Sequence, residues 1–103
     1  MIDLFDAKLQ CRVLHDREDT LIQTYIDAAL LQFEDHTGRK LYEDDAALAQ
    51  DQDAPEYTAV LDSKITAGAL LLVGYLYNNR DMDNTMPQAT ERLWQPYKVY
   101  RVA

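Results

Sequence analysis

One stretch constrains this chain more than any other: Ile65-Thr-Ala-Gly-Ala-Leu-Leu-Leu-Val-Gly-Tyr-Leu-Tyr-Asn-Asn-Arg80. It is apolar nearly all round, yet shorter than the about 20 residues needed to cross a bilayer. It therefore reads as the buried central helix of a small soluble domain, starting near Tyr57 or Ser63 and ending at Asn78-Asn79. Gly68 and Gly74 lie inside it, and each costs a helix about 1 kcal/mol relative to Ala. Close approach of another helix would explain both.

Three further helices are expected around it, making an all-α domain: a small bundle of about four helices with a long acidic loop and an extended C-terminal arm. The first runs from Asp3 to Val13, with Asp3 as N-cap and Phe5, Leu9 and Val13 along one apolar stripe. The second is capped by Asp16 and carries Ile22, Tyr25, Ile26, Ala29 and Phe33 at helical spacing. Thr37-Gly38 ends it, with Gly38 suited to the left-handed position past a helix C-terminus. The fourth opens at Thr85-Met-Pro-Gln88, which reads as a capping box with Pro87 in the first turn. It carries Met86, Ala89 and Leu93 and stops before Pro96. Tyr97 to Val102 alternates and reads as an extended arm or an edge strand.

With 103 residues the chain is expected to form a single domain, residues 1–103. Three Gly, three Pro and a hydrophobic fraction of 48% argue for a packed core. The start, Met1-Ile2-Asp3, lacks the basic and apolar segments of a secretory signal, so none is expected. A single cysteine, Cys11, forms no internal disulfide and reads as a small core residue. The net charge is −8, and residues 43–62 hold seven acids and no Lys or Arg. With Pro55 in it, this segment reads as a solvated loop, although Ala46 to Ala49 could make one helical turn. Nothing in the composition supplies the basic patch that sequence-specific DNA binding requires.

Catalytic patterns are missing as well. Ser63 is the only serine and no nucleophile-elbow glycines flank it. His15 and His36 have no Cys or His partner at metal spacing. Asp51-Gln-Asp53 begins like a calcium loop but sets Glu56 where the turn glycine belongs and Asp62 where a bidentate Glu belongs. No phosphate-cradling glycine loop occurs. The chain is expected not to be an enzyme, to take no cofactor and to hold no metal.

The aromatics say more. Trp94, Tyr97 and Tyr100 stand beside Arg92, Lys98 and Arg101, a composition enriched at interface hot spots. With Arg80 at the end of the apolar helix, these form the candidate partner interface. The alternative is that the tail folds back over the domain's own core.

In their order and spacing these segments resemble the gp6-like head–tail connectors of phages. The resemblance rests on Lys8-Leu-Gln-Cys-Arg-Val13, then Asp16 to Asp19, Leu21-Ile22, Tyr25-Ile26 and Ala28-Ala29. It continues through Thr37-Gly38-Arg39, the Lys64-to-Leu76 helix closed by Tyr77-Asn-Asn-Arg80, Met86-Pro87, Leu93 and Pro96-Tyr97-Lys98. It implies a structural virion protein of the head–tail junction, assembled in the host cytoplasm. Its copies would form a ring, dodecameric to match the portal, lying between the portal and a downstream stopper or tail-completion protein. DNA would pass through without sequence-specific contact, and no membrane is involved. An acidic loop suits such a channel because negative walls repel phosphates, which makes Asp44, Asp45, Asp51 and Asp53 candidate lumen residues. Two other classes fit an acidic small domain: a DNA-mimic inhibitor, which needs acids spread along a face, and a small protein-binding adaptor.

Overall fold

The computed structural model describes residues 2–79 and 86–99. Helix α1 spans Leu4–Cys11, α2 Asp19–Thr37, α3 Asp45–Gln50, α4 Ser63–Asn78 and α5 Gln88–Trp94, and a 3-10 turn follows at Gln95–Tyr97. Two short strands, β1 (Lys40–Tyr42) and β2 (Thr58–Val60), pair in parallel with Leu41 opposite Ala59. The domain is mostly helical, and α4 is its centre: α1, α2 and α5 all pack on it. Asp62 begins α4 by accepting a hydrogen bond from the Ile65 N–H at 2.9 Å.

The core lies between α2 and α4. Ile22, Ile26, Ala29 and Phe33 face Ile65, Ala69, Leu72 and Val73, all of them buried. Gly38, at φ 77°, takes the left-handed position after α2 and donates its N–H to Glu34 O at 2.9 Å.

Four sequence expectations need correction. Residues 43–62 are not one loop, because they contain α3 and β2. A parallel pair cannot be joined by a tight turn and needs a crossover of a dozen or more residues, which residues 43–57 supply. Asp16 does not cap α2. It accepts a hydrogen bond from Lys8 Nζ at 2.7 Å, while Lys8 also pairs with Asp19 at 2.9 Å, so the helix starts at Asp19. Helix α5 starts at Gln88 with Pro87 at its N-cap, not in its first turn, and Thr85 lies outside the described residues.

The fourth correction concerns α1, which is rotated from its expected stripe. Ala7 and Cys11 face inward, while Phe5 and Leu9 are 64% and 54% exposed. Small residues on the inner face let α1 approach α4 closely: a Cβ built on Gly74 would lie 3.3 Å from Gln10 Cγ. A phenylalanine on that face would hold the two helices apart. Val13, just past the helix, is buried as expected.

Candidate functional site

The aromatic-basic segment is folded onto its own domain as far as residue 99. Trp94 is wholly buried, edge-on to Phe33 with ring centres 5.3 Å apart, and its indole N–H donates to Ile65 O at 3.3 Å. Gly68 makes room for it, since a Cβ there would come within 2.4 Å of the indole nitrogen. One turn earlier the buried Thr90 hydroxyl donates to Gly68 O at 2.9 Å. α5 is therefore fixed to α4 by a ring over a glycine and two hydrogen bonds to α4 carbonyls. Trp94 is removed from the side chains that can reach a partner, because a tryptophan of this size buried among apolar groups is core.

Tyr97 is half-buried. It packs edge-on to Phe33 at 5.8 Å, and its hydroxyl donates to the Asp62 carboxylate. Burial first and that hydrogen bond second push its pKa up to about 12. Arg39 clamps the segment behind it, with Nε donating to Tyr97 O at 2.6 Å and Nη1 to Thr58 O at 3.1 Å. The Val99 N–H donates to Thr37 O at 2.8 Å. Arg92 is exposed on α5, and Lys98 is half-buried beside Tyr97. Arg80, Tyr100 and Arg101 lie outside the described residues.

The four candidate lumen acids have different roles. Asp44 caps α3 by accepting from the Ala47 N–H at 2.7 Å. Asp51 closes the crossover. It accepts from Tyr42 Oη at 2.5 Å, from Lys40 Nζ at 3.1 Å and from the Asp53 N–H at 3.0 Å. These donors, the tyrosine first, hold its carboxyl below the usual range. Asp45, in the first turn of α3, and Asp53 are exposed. The structure thus brings Asp51 and Asp53 together, and it separates two acids that fold the crossover from two that face solvent.

Other surfaces carry apolar groups that the sequence pattern assigned to the interior or left unremarked. Phe5 and Leu9 lie one turn apart on the outer face of α1, and Leu14, shortly after it, is 92% exposed. On α2 and β1, a shallow groove of about 290 Å³ is lined by Leu30, Leu31 and Leu41, with Asp27 and Glu34 beside them. The readable clue to the α1 face was the small pair Ala7 and Cys11, four residues apart. The groove had no comparable signal, because it depends on where β1 passes α2.

Among the described residues no group of three or more His, Cys, Asp or Glu side chains could hold a metal ion, and no helix is long and apolar enough to cross a membrane. A family model described as phage gp6-like head-tail connector protein matches residues 1–97. No curated protein and no solved structure matches the chain.

Proposed function

This chain belongs to the phage gp6-like head–tail connector family, a structural and non-enzymatic family of the virion's head–tail junction, and from that premise we propose that its copies close into a ring beneath the portal. The ring, of twelve copies if it follows a dodecameric portal, joins head to tail and forms part of the channel for DNA. The observation that carries the reading is the family match across residues 1–97. Exposed apolar side chains on α1 and α2 support it, since a small domain that assembles needs such surface and one that stays alone does not. The partners are the portal above and a stopper or tail-completion protein below.

Within this reading, Arg92 and Lys98, with Arg80, Tyr100 and Arg101, are the partner-facing set that remains once Trp94 and Tyr97 are assigned to packing within the domain. Asp45 and Asp53 are the acids best suited to line the channel, because both are exposed and neither carboxylate has a hydrogen bond or ion pair to a described residue. A wall of like charge keeps DNA from adhering as it passes. A DNA mimic gains no support here, since Asp44 and Asp51 are turned to intramolecular hydrogen bonds instead of forming a phosphate-like row.

A phage that carries this gene tests the reading. Deleting the gene should leave DNA-filled heads and free tails that fail to join. Infectious particles of normal yield would contradict a role at the junction.

A further inference from the structure

We propose that Phe5, Leu9 and Arg12 of one copy seat in the α2–β1 groove of the next copy, and that this contact builds the ring. The inference rests on the ring reading and adds the surfaces that meet. Phe5 and Leu9 project from the same face of α1 and are more than half exposed. Single exposed apolar residues are ordinary, but two large ones side by side on a rigid helix form a ridge. The groove supplies the matching hollow: Leu30, Leu31 and Leu41 line it, Leu31 is 61% exposed, and no residue of α1 takes part.

The charges match as well. Two carboxylates stand at the groove, and each is oriented by a hydrogen bond. Glu34 accepts from the Leu41 N–H at 2.8 Å, and Asp27 accepts from Gln23 Nε2 at 3.1 Å. Beside the ridge stands Arg12, exposed, with no hydrogen bond or ion pair from its guanidinium to a described residue. Arg12 is also the one non-glycine residue with positive φ among those described, at 58° after α1. That position favours Gly or Asn, and an arginine there costs about 1–2 kcal/mol of backbone strain. An arginine at a strained position, whose side chain pairs with none of the described residues, has a reason to be there if a neighbour's acids receive it.

Ridge and groove lie on different elements, and in a ring each copy offers its ridge to one neighbour and its groove to the other, a heterologous contact. Such contacts propagate head to tail and close into a ring when the rotation fits. A reciprocal two-fold dimer could also seat ridge in groove, twice, but it would stop at two copies. Covalent multimers beyond the dimer are therefore what mark the head-to-tail contact, and a double variant that stops at the dimer would overturn it.

The test uses the full chain carrying Leu9→Cys and Leu31→Cys together, treated with a short bis-maleimide at concentrations where oligomers form. Both positions are more than half exposed, so the fold tolerates the changes. The native Cys11 is buried and its thiol pKa is raised by that burial, so it competes little for the reagent. The double variant should yield a ladder of covalent multimers, and each single variant should stay monomeric. Rings visible by electron microscopy without a ladder would overturn this contact and leave the ring standing. Dimers from Leu9→Cys alone would overturn it in favour of a two-fold pairing. Absence of any oligomer, alone or with the portal, would bring down the ring reading and this contact with it. A second variant separates assembly from folding. Arg12→Gly should melt at the same temperature or higher, yet need about tenfold more protein to assemble, the worth of one charge-assisted hydrogen bond. Unchanged assembly in that variant would remove Arg12 from the contact.

Discussion

Gly68 and Gly74 look alike in the sequence, both being interior glycines of an apolar helix, but they differ in what stands opposite them. A methyl group at Gly68 would run into the rigid, buried indole of Trp94, whereas at Gly74 it meets the flexible side chain of Gln10. Gly68→Ala should therefore destabilise by about 1–3 kcal/mol, the usual cost of overpacking, despite alanine's better helix propensity. Gly74→Ala should be close to neutral or stabilising by up to about 1 kcal/mol. Urea unfolding of the two variants checks this, and equal losses would show that the indole contact is not what requires Gly68. Tyr97 gives a second test, in pH. Folded, it keeps its proton until about pH 12; unfolded, it releases it near pH 10. Between those values the unfolded state holds fewer protons, so stability falls as pH rises through that window and is fully present below it. Tyr97→Phe keeps the ring against Phe33 and removes the titration. Melting of that variant should lose less between pH 10 and 12 than melting of the native chain, and parallel losses would contradict the assignment. At this scale the sequence showed which residues were unusual, but not their partners. An interior glycine announces close approach without saying whose side chain approaches.

At the scale of elements, α1, α2, α4 and α5 were legible as helices, while α3 and the two strands were read as loop. α2 and α4 carry enough turns for their apolar spacing to show, and the end of α2 at Gly38 and the start of α4 at Ser63 agree with it. β1 and β2, three residues each, are too short for an alternating pattern to register, and they form because the chain pairs them across the crossover. α1 was legible as a helix but not in its rotation, because packing on α4 favoured its small residues over its large ones. The acidic crossover had the same limit: a run of acids reads as uniform solvated charge until hydrogen bonds distinguish its members. Lysine substitutions separate them. Asp51→Lys should lower the melting temperature measurably, because Tyr42 and Lys40 lose their shared acceptor and a second cation is placed beside Lys40. Asp45→Lys with Asp53→Lys should leave melting nearly unchanged. In particles, the latter pair should slow DNA ejection and make it salt-sensitive. Unaltered ejection would place those two residues outside the lumen.

At the scale of the whole molecule, the chain folds the larger part of its aromatic tail into itself. Trp94 and Tyr97 extend the core shared by α2 and α4, and Arg39 and Val99 tie the backbone down. On the proposed ring reading, assembly relies on surface that the described fold leaves open: the outer face of α1, the α2–β1 groove, and the exposed charges. The sequence indicated that some apolar surface would be left over; it looked for this on the C-terminal arm and did not single out the outer face of α1. Each copy carries a net charge of −8, so copies repel at long range, and a specific contact has to outweigh that repulsion. Screening at physiological ionic strength, where the Debye length is about 8 Å, confines the repulsion to near neighbours. Negative-stain electron microscopy of the purified chain at that ionic strength, alone at high concentration and mixed with its portal, shows whether the copies form a ring. Closed rings of a single size that stack coaxially on the portal are expected; particles that remain monomeric across concentration and add no density to the portal would rule the ring out.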